Sequence, residues 1–270
     1  MSKPMDDKTP SLVATAAAAF SAETSQMTPV NESRPISSVR LAVFASGRGT
    51  NFRRIYELWQ AGAMPEIELS LLVCDKACGA ADFAAEKHFP LLLARPHDFP
   101  DKAACETLIL SKLREKGIEL IALAGYLRLV GEVLLSAYPS RILNLHPSLL
   151  PAYPGKDAIA RIYAAAENCG GVSVHLVDAG LDSGPLLAQE AVLLTPGMSL
   201  EDFEAAVHRK EHELYPQVIR QVAAEMAAEK GRKSASQETA SQTCRNPVQD
   251  TCDPHRIQRD ATKQGREENC

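Results

Sequence analysis

The stretch Val39-Arg40-Leu41-Ala42-Val43-Phe44-Ala45-Ser46-Gly47-Arg48-Gly49-Thr50-Asn51 decides the fold. The apolar run 39–44 reads as a buried strand, and residues 46–51 leave it and open a helix. Glycines at such a turn let the backbone approach an anion, while free amides and the helix dipole attract it. A dinucleotide fingerprint needs a third glycine at position 52, where Phe52 stands, and the Walker pattern is absent. The turn therefore suits a phosphorylated small molecule better than NAD or ATP. A tight strand-to-helix turn without a ligand is the plainer alternative.

Working outward, the alternation continues. A helix is expected over 51–61, a strand over 67–73, a helix over 77–87, a short strand over 90–93 and a helix over 102–116. Residues 120–124 read as a buried strand, 131–137 as a short helix and 142–145 as a further strand. Strand and helix repeated at this spacing predict an α/β fold with a doubly wound, largely parallel sheet. After Pro151 a helix is expected over 157–168, strands over 172–177 and 186–194, and a long amphipathic helix over 200–227. Pro216 should kink or split that last helix.

The strand at 142–145 delivers a second motif, Asn144-Leu145-His146-Pro147-Ser148-Leu149-Leu150-Pro151. Strand side chains alternate, so an amide and an imidazole two residues apart project to one side. Amide and imidazolium donors aimed at one point are what a tetrahedral oxyanion needs, and a buried carboxylate such as Asp182 keeps the imidazole charged and oriented. Taken alone, His146 has a plainer role in satisfying a loop carbonyl, and Asp182 one in forming a turn. Pro147-Ser148-Leu149 lacks a nucleophile elbow. The constellation suggests acyl chemistry without a serine or cysteine nucleophile.

Residues 124–130, Ala-Gly-Tyr-Leu-Arg-Leu-Val, have the apolar character of a pocket wall for a flat heterocycle, or of ordinary core. Glu211 reads from spacing as an exposed helix charge. His208 and His212 share a helix face but lack a third ligand of known position, and Cys244, Cys252 and His255 match no zinc spacing, so no metal site is expected.

Of the 270 residues, 45% are hydrophobic and 23% charged, an ordinary globular balance, and the net charge of -5 speaks against nucleic acid as a partner. Anionic ligands must then be met by local devices. The seven cysteines are odd in number and lack framework spacing, which points to a reduced, cytoplasmic setting. No run approaches the roughly 20 apolar residues of a membrane span, and no basic segment leads the alanine-rich run at 13–20, so neither a membrane partner nor a signal peptide is expected. Residues 1–38 and 228–270 read as disordered polar tails flanking a domain at 39–227.

Together these blocks resemble the phosphoribosylglycinamide formyltransferases, a folate-dependent formyltransferase family, over residues 38–227. The likeness runs through Ser46-Gly47-Arg48-Gly49-Thr50-Asn51, Ala124-Gly125-Tyr126-Leu127-Arg128, the Asn144 to Pro151 motif with Tyr153-Pro154-Gly155, Ser173-Val174-His175, Leu181-Asp182-Ser183-Gly184-Pro185 and Glu211-His212-Glu213-Leu214-Tyr215-Pro216. It implies a Rossmann-like fold and formyl transfer from 10-formyltetrahydrofolate to the amine of 5'-phosphoribosylglycinamide in purine biosynthesis, with no metal. Asn144, His146 and Asp182 match its catalytic positions. Gly47, Arg48, Gly49, Thr50 and Asn51 match its substrate-phosphate loop, and Glu211 a carboxylate on the ribonucleotide, against the plainer reading of that charge. Lys102, Leu127, Arg128, Leu129, Val130, Asn144, Asp178 and Asp182 match its folate positions. Lys102 stands where some relatives have arginine, and Asp157 and Val172 where some have histidine and threonine. The implied partners are small molecules, with monomer and homodimer both open.

Related readings are weaker in the sequence. A formyltetrahydrofolate deformylase brings an additional N-terminal regulatory domain, for which 1–38 is short. A methionyl-tRNA formyltransferase brings a sizeable basic C-terminal domain, and a sugar-nucleotide formyltransferase fits the phosphate loop and Glu211 less well. A non-catalytic folate or phosphosugar binder has no reason to keep Asn144, His146 and Asp182 together.

Overall fold

Residues 38–243 are described in the computed structural model, with side chains to residue 232. Seven strands form one sheet: β1 (Val39–Ala45), β2 (Ile67–Cys74), β3 (Leu91–Leu93), β4 (Leu120–Leu123), β5 (Ile142–His146), β6 (Cys169–Leu176) and β7 (Leu186–Leu193). Their spatial order is β3-β2-β1-β4-β5-β6-β7. The strands from β3 to β5 are parallel, whereas β6 and β7 run antiparallel to their neighbours.

Alternation along β1 explains the two-sided winding. Val39, Leu41, Val43 and Ala45 face one core, shared with α1 (Thr50–Gln60), α2 (Gly79–Glu86), α5 (Ala158–Ala164) and α6 (Leu200–Thr243). Ala42 and Phe44 face the other, shared with α3 (Lys102–Glu115) and α4 (Glu132–Ala137). A strand buried on both faces reads as a continuous apolar run, as 39–44 does. The order reverses between β1 and β4, and in open α/β sheets ligands collect at the carboxyl ends of strands beside such a reversal.

Two helix starts follow local rules. The Asp101 carboxylate accepts from the Ala104 amide at 2.8 Å and caps α3; the Ser199 hydroxyl accepts from the Asp202 amide at 3.1 Å ahead of α6. No split occurs at Pro216, because α6 is continuous through it. The lost N–H is tolerated because Leu214, Tyr215, Val218 and Ile219 are buried on both sides of it, and the Tyr215 hydroxyl lies 3.0 and 3.2 Å from the carbonyls of Leu123 and Leu143. The helix expected over 157–168 stops at Ala164, with Ala166 at φ 50, since the chain must turn into β6, which pairs with β7 from Cys169 onward. The expected tails fall largely outside the described residues, although the α6 backbone continues helically to Thr243. No helix among the described residues is long and apolar enough to cross a membrane.

Candidate active site

A cavity of about 850 Å³ opens at the carboxyl ends of β1, β4 and β5. Its first wall is the 47–51 turn. Gly49 caps α1 in the left-handed region at φ 73, and a Cβ there would lie 2.5 Å from the Ala80 Cβ. Only glycine meets both demands. No side chain caps α1, so its first amides face the cavity ready for an anion.

The second wall is the segment after β4. Leu127 and Leu129, 59% and 61% exposed, offer the apolar surface that a flat ring system needs. The Leu127 amide donates to the Ser46 hydroxyl at 3.0 Å, and the Gly131 amide to Glu106 Oε1 at 2.6 Å.

At the floor, β5 presents Asn144 and His146 on one side, as their spacing requires. Asn144 Nδ2 donates to Asp182 Oδ1 at 3.2 Å, and His146 Nδ1 lies 3.3 Å from Asp182 Oδ2. The Gly155 amide donates to Asp182 Oδ2 at 2.8 Å. His146 Nε2 is 2.9 Å from the Tyr153 carbonyl. Both imidazole nitrogens thus stand close to acceptor oxygens. Burial pushes the Asp182 carboxyl up, but His175, the Gly155 amide and His146 outweigh it, so the net shift is downward. The carboxylate is the hub on which the donors of the site converge.

His175 is the residue that sequence reasoning missed. Antiparallel pairing sets it directly opposite Asn144. Its Nδ1 lies 2.8 Å from the Leu176 carbonyl, and its Nε2 lies 3.1 Å from Asn144 Nδ2 and 3.6 Å from Asp182 Oδ1. The motif Ser-Val-His carried the signal, but only the reversal of β6 makes the pair.

Glu211 is 5% exposed, which corrects the reading of an exposed helix charge. Packing of α6 against α1 covers it, and its Oε2 accepts from Asn51 Nδ2 at 2.9 Å and from His208 Nδ1 at 3.0 Å. The hydrogen bond that His208 donates to Glu211 raises its pKa, whereas burial lowers that of His212. Gly47, Arg48, Gly49, Thr50, Asn51, Leu127, Arg128, Leu129, Val130, Asn144, His146, Asp178, Asp182 and Glu211 all line the cavity, joined by His175 and His208. Lys102 stands outside the lining, 56% exposed, with Nζ 3.9 Å from Glu106 Oε1. No group of three or more His, Cys, Asp or Glu arranged to hold a metal occurs among the described residues.

A phosphate-ready turn, an apolar wall and a carboxylate ringed by amide and imidazole donors can bring two ligands together for direct acyl transfer. Comparison with known proteins agrees. Residues 39–219 match the family described as formyl transferase. The chain is 44% identical over 189 residues to the phosphoribosylglycinamide formyltransferase of Bacillus subtilis, covering 68% of this chain and 94% of that one. It is 35% identical to the chloroplastic phosphoribosylglycinamide formyltransferase of Arabidopsis thaliana, covering 67% and 64%. The crystal structure of glycinamide ribonucleotide transformylase 1 from Geobacillus kaustophilus superposes with a TM-score of 0.67 at 49% identity, covering 69% of this chain and 99% of that one.

Proposed function

Because the chain belongs to the formyl transferase family, we propose that it moves the formyl group of 10-formyltetrahydrofolate onto the amine of 5'-phosphoribosylglycinamide in purine biosynthesis, releasing tetrahydrofolate. The supporting observation is the convergence of Asn144, His146 and Asp182 in one cavity with the uncapped 47–51 turn and Glu211. The cell compartment of this reading is the cytoplasm.

In this reading the amides of residues 48–51 hold the substrate phosphate, and the Glu211 carboxylate receives a ribose hydroxyl. Leu127, Leu129 and Val130 and the loop from Asp178 to Asp182 flank the folate ring system. The amine attacks the formyl carbon, and negative charge develops on the formyl oxygen. Asp182 accepts the amine proton, directly or through one water. Neutralised, it no longer competes for Asn144 Nδ2 and His146 Nδ1, which then serve the oxyanion. Collapse of the intermediate breaks the bond from carbon to N10, and Asp182 returns the proton to that nitrogen. Proton transfer and oxyanion stabilisation are therefore coupled through one carboxylate.

The purified protein is mixed with 10-formyltetrahydrofolate, and tetrahydrofolate is followed with and without the ribonucleotide. Turnover that requires the ribonucleotide supports the reading; turnover without it points to a deformylase, and none in either arm refutes it.

A further inference from the structure

Asp75 follows β2 directly. In dinucleotide-binding sheets with the same central order, an acid near the end of the second strand takes a ribose hydroxyl. Here that place is closed. The Asp75 side chain is 3% exposed and does not line the cavity. Its Oδ2 accepts from Arg128 Nε at 2.9 Å, while its Oδ1 is buried without a hydrogen-bond partner. A half-satisfied buried carboxylate is costly, and one retained beside a ligand cavity calls for a function.

Arg128 supplies it. The guanidinium is 54% exposed and lines the cavity between Leu127 and Leu129, and the hydrogen bond described for it uses Nε alone. One edge of the fork is spent inward, and the two Nη groups remain as a planar donor pair suited to a carboxylate. The rest of the segment is fastened through its backbone, at Gly125 to the Ser46 amide, at Leu127 to the Ser46 hydroxyl and at Gly131 to Glu106. None of these contacts fixes the Arg128 side chain.

We propose that Asp75 is a positioning residue for the folate co-substrate: it grips Arg128 from beneath so that the outward guanidinium edge meets the carboxylate-bearing glutamate end of the donor. This inference rests on the proposed function. The acid at the place that takes a ribose hydroxyl in dinucleotide-type sheets is here the counter-ion of a cation on a neighbouring loop.

A double-mutant cycle on the full chain tests it. Asp75→Asn should raise KM for 10-formyltetrahydrofolate roughly tenfold, with kcat within about twofold and KM for the ribonucleotide unchanged. Arg128→Ala should do the same, and the double variant should be no worse than Arg128→Ala alone. With 10-formyltetrahydropteroate, which lacks the glutamate carboxylates, the variants should match wild type. Additive losses, a fall in kcat, or an equal KM rise with both donors overturns the inference while wild-type turnover leaves the proposed function standing. Absence of wild-type turnover removes both. Should Asp75→Asn not fold, Arg128→Lys keeps the charge without the fork; it should behave as Arg128→Ala, and full activity in it also overturns the proposal.

Discussion

Two concavities of nearly equal volume, about 850 and 880 Å³, lie at opposite ends of the same parallel strands. The first receives the starts of α1 and α5, neither capped by a side chain. The second is lined by residues from strand starts and helix ends, among them Arg40, Trp59, Lys87, Phe89 and Lys116. Its cations are turned toward local partners: Arg40 Nη1 donates to the Lys116 carbonyl at 3.4 Å beyond the end of α3, and Lys87 pairs with Glu86 at 2.8 Å. The winding of an α/β sheet points every crossover helix the same way, so partial positive charge gathers at one end and partial negative charge at the other. A chain of net charge -5 thereby offers an anion one favourable end. With volumes so close, the helix termini that face each concavity, rather than its size, set the two apart.

The sharpest way to break this contrast is at the carboxylate hub. Asp182→Asn should lower kcat by roughly 100-fold or more with little loss of ribonucleotide affinity, because it removes proton transfer in the transition state. Steady-state kinetics beside calorimetry of ribonucleotide binding would show this, and near-normal kcat would refute the role. Gly49→Ala comes next. The left-handed φ and the contact with Ala80 should raise KM for the ribonucleotide about tenfold and cost about 1–3 kcal/mol in denaturant unfolding, while KM for folate moves little.

A smaller effect concerns pH. Glu211 holds His208 above its ordinary 6.5, with Arg48 opposing and Glu204 assisting. The stabilisation from this pair is full below about pH 6.5 and fades as pH rises through the raised value. Glu211→Gln should return the His208 midpoint toward or below 6.5 in an NMR titration and weaken ribonucleotide binding; an unmoved midpoint would deny the coupling. Asp182 has the opposite sense. Its lowered pKa gives stability that is present above about pH 3.8 and is lost as pH falls through the folded value. The smallest effect belongs to the far end. Arg220, paired with Glu66 through Nε at 3.0 Å and Nη2 at 2.8 Å, is distant from the chemistry. Arg220→Ala should cost at most about 1 kcal/mol and leave kcat and both KM values unchanged. A change in kinetics there would dissolve the distinction between the two ends.

Most of the parallel half of the sheet is legible in the sequence, because strands buried on both faces and helices of period 3.6 leave plain marks. Phe52 in place of a third glycine separates the turn from dinucleotide loops in the same way. The antiparallel return is less legible. No residue in β6 announces its direction, and with it the pairing of His175 to Asn144 is hidden, since both depend on a contact between strands joined by a long connection. Glu211 shows another limit: periodicity gives the face of a helix but not what covers that face, and Asn51 lies on a different element. Pro216 shows a third, since packing around Tyr215 overrides a local preference. Asp75 belongs to none of the motifs singled out in the sequence, and its pairing with Arg128 emerges only in the fold.

The bond from Asn51 to Glu211 joins positions 160 apart. During synthesis on the ribosome the glycine turn emerges early, yet its carboxylate partner emerges only after every strand of the sheet has been made. The Asn51–Glu211 side of the cavity is thus among the last features the nascent chain can complete. A chain truncated before that helix lacks both the carboxylate partner of Asn51 and the α6 side of the core.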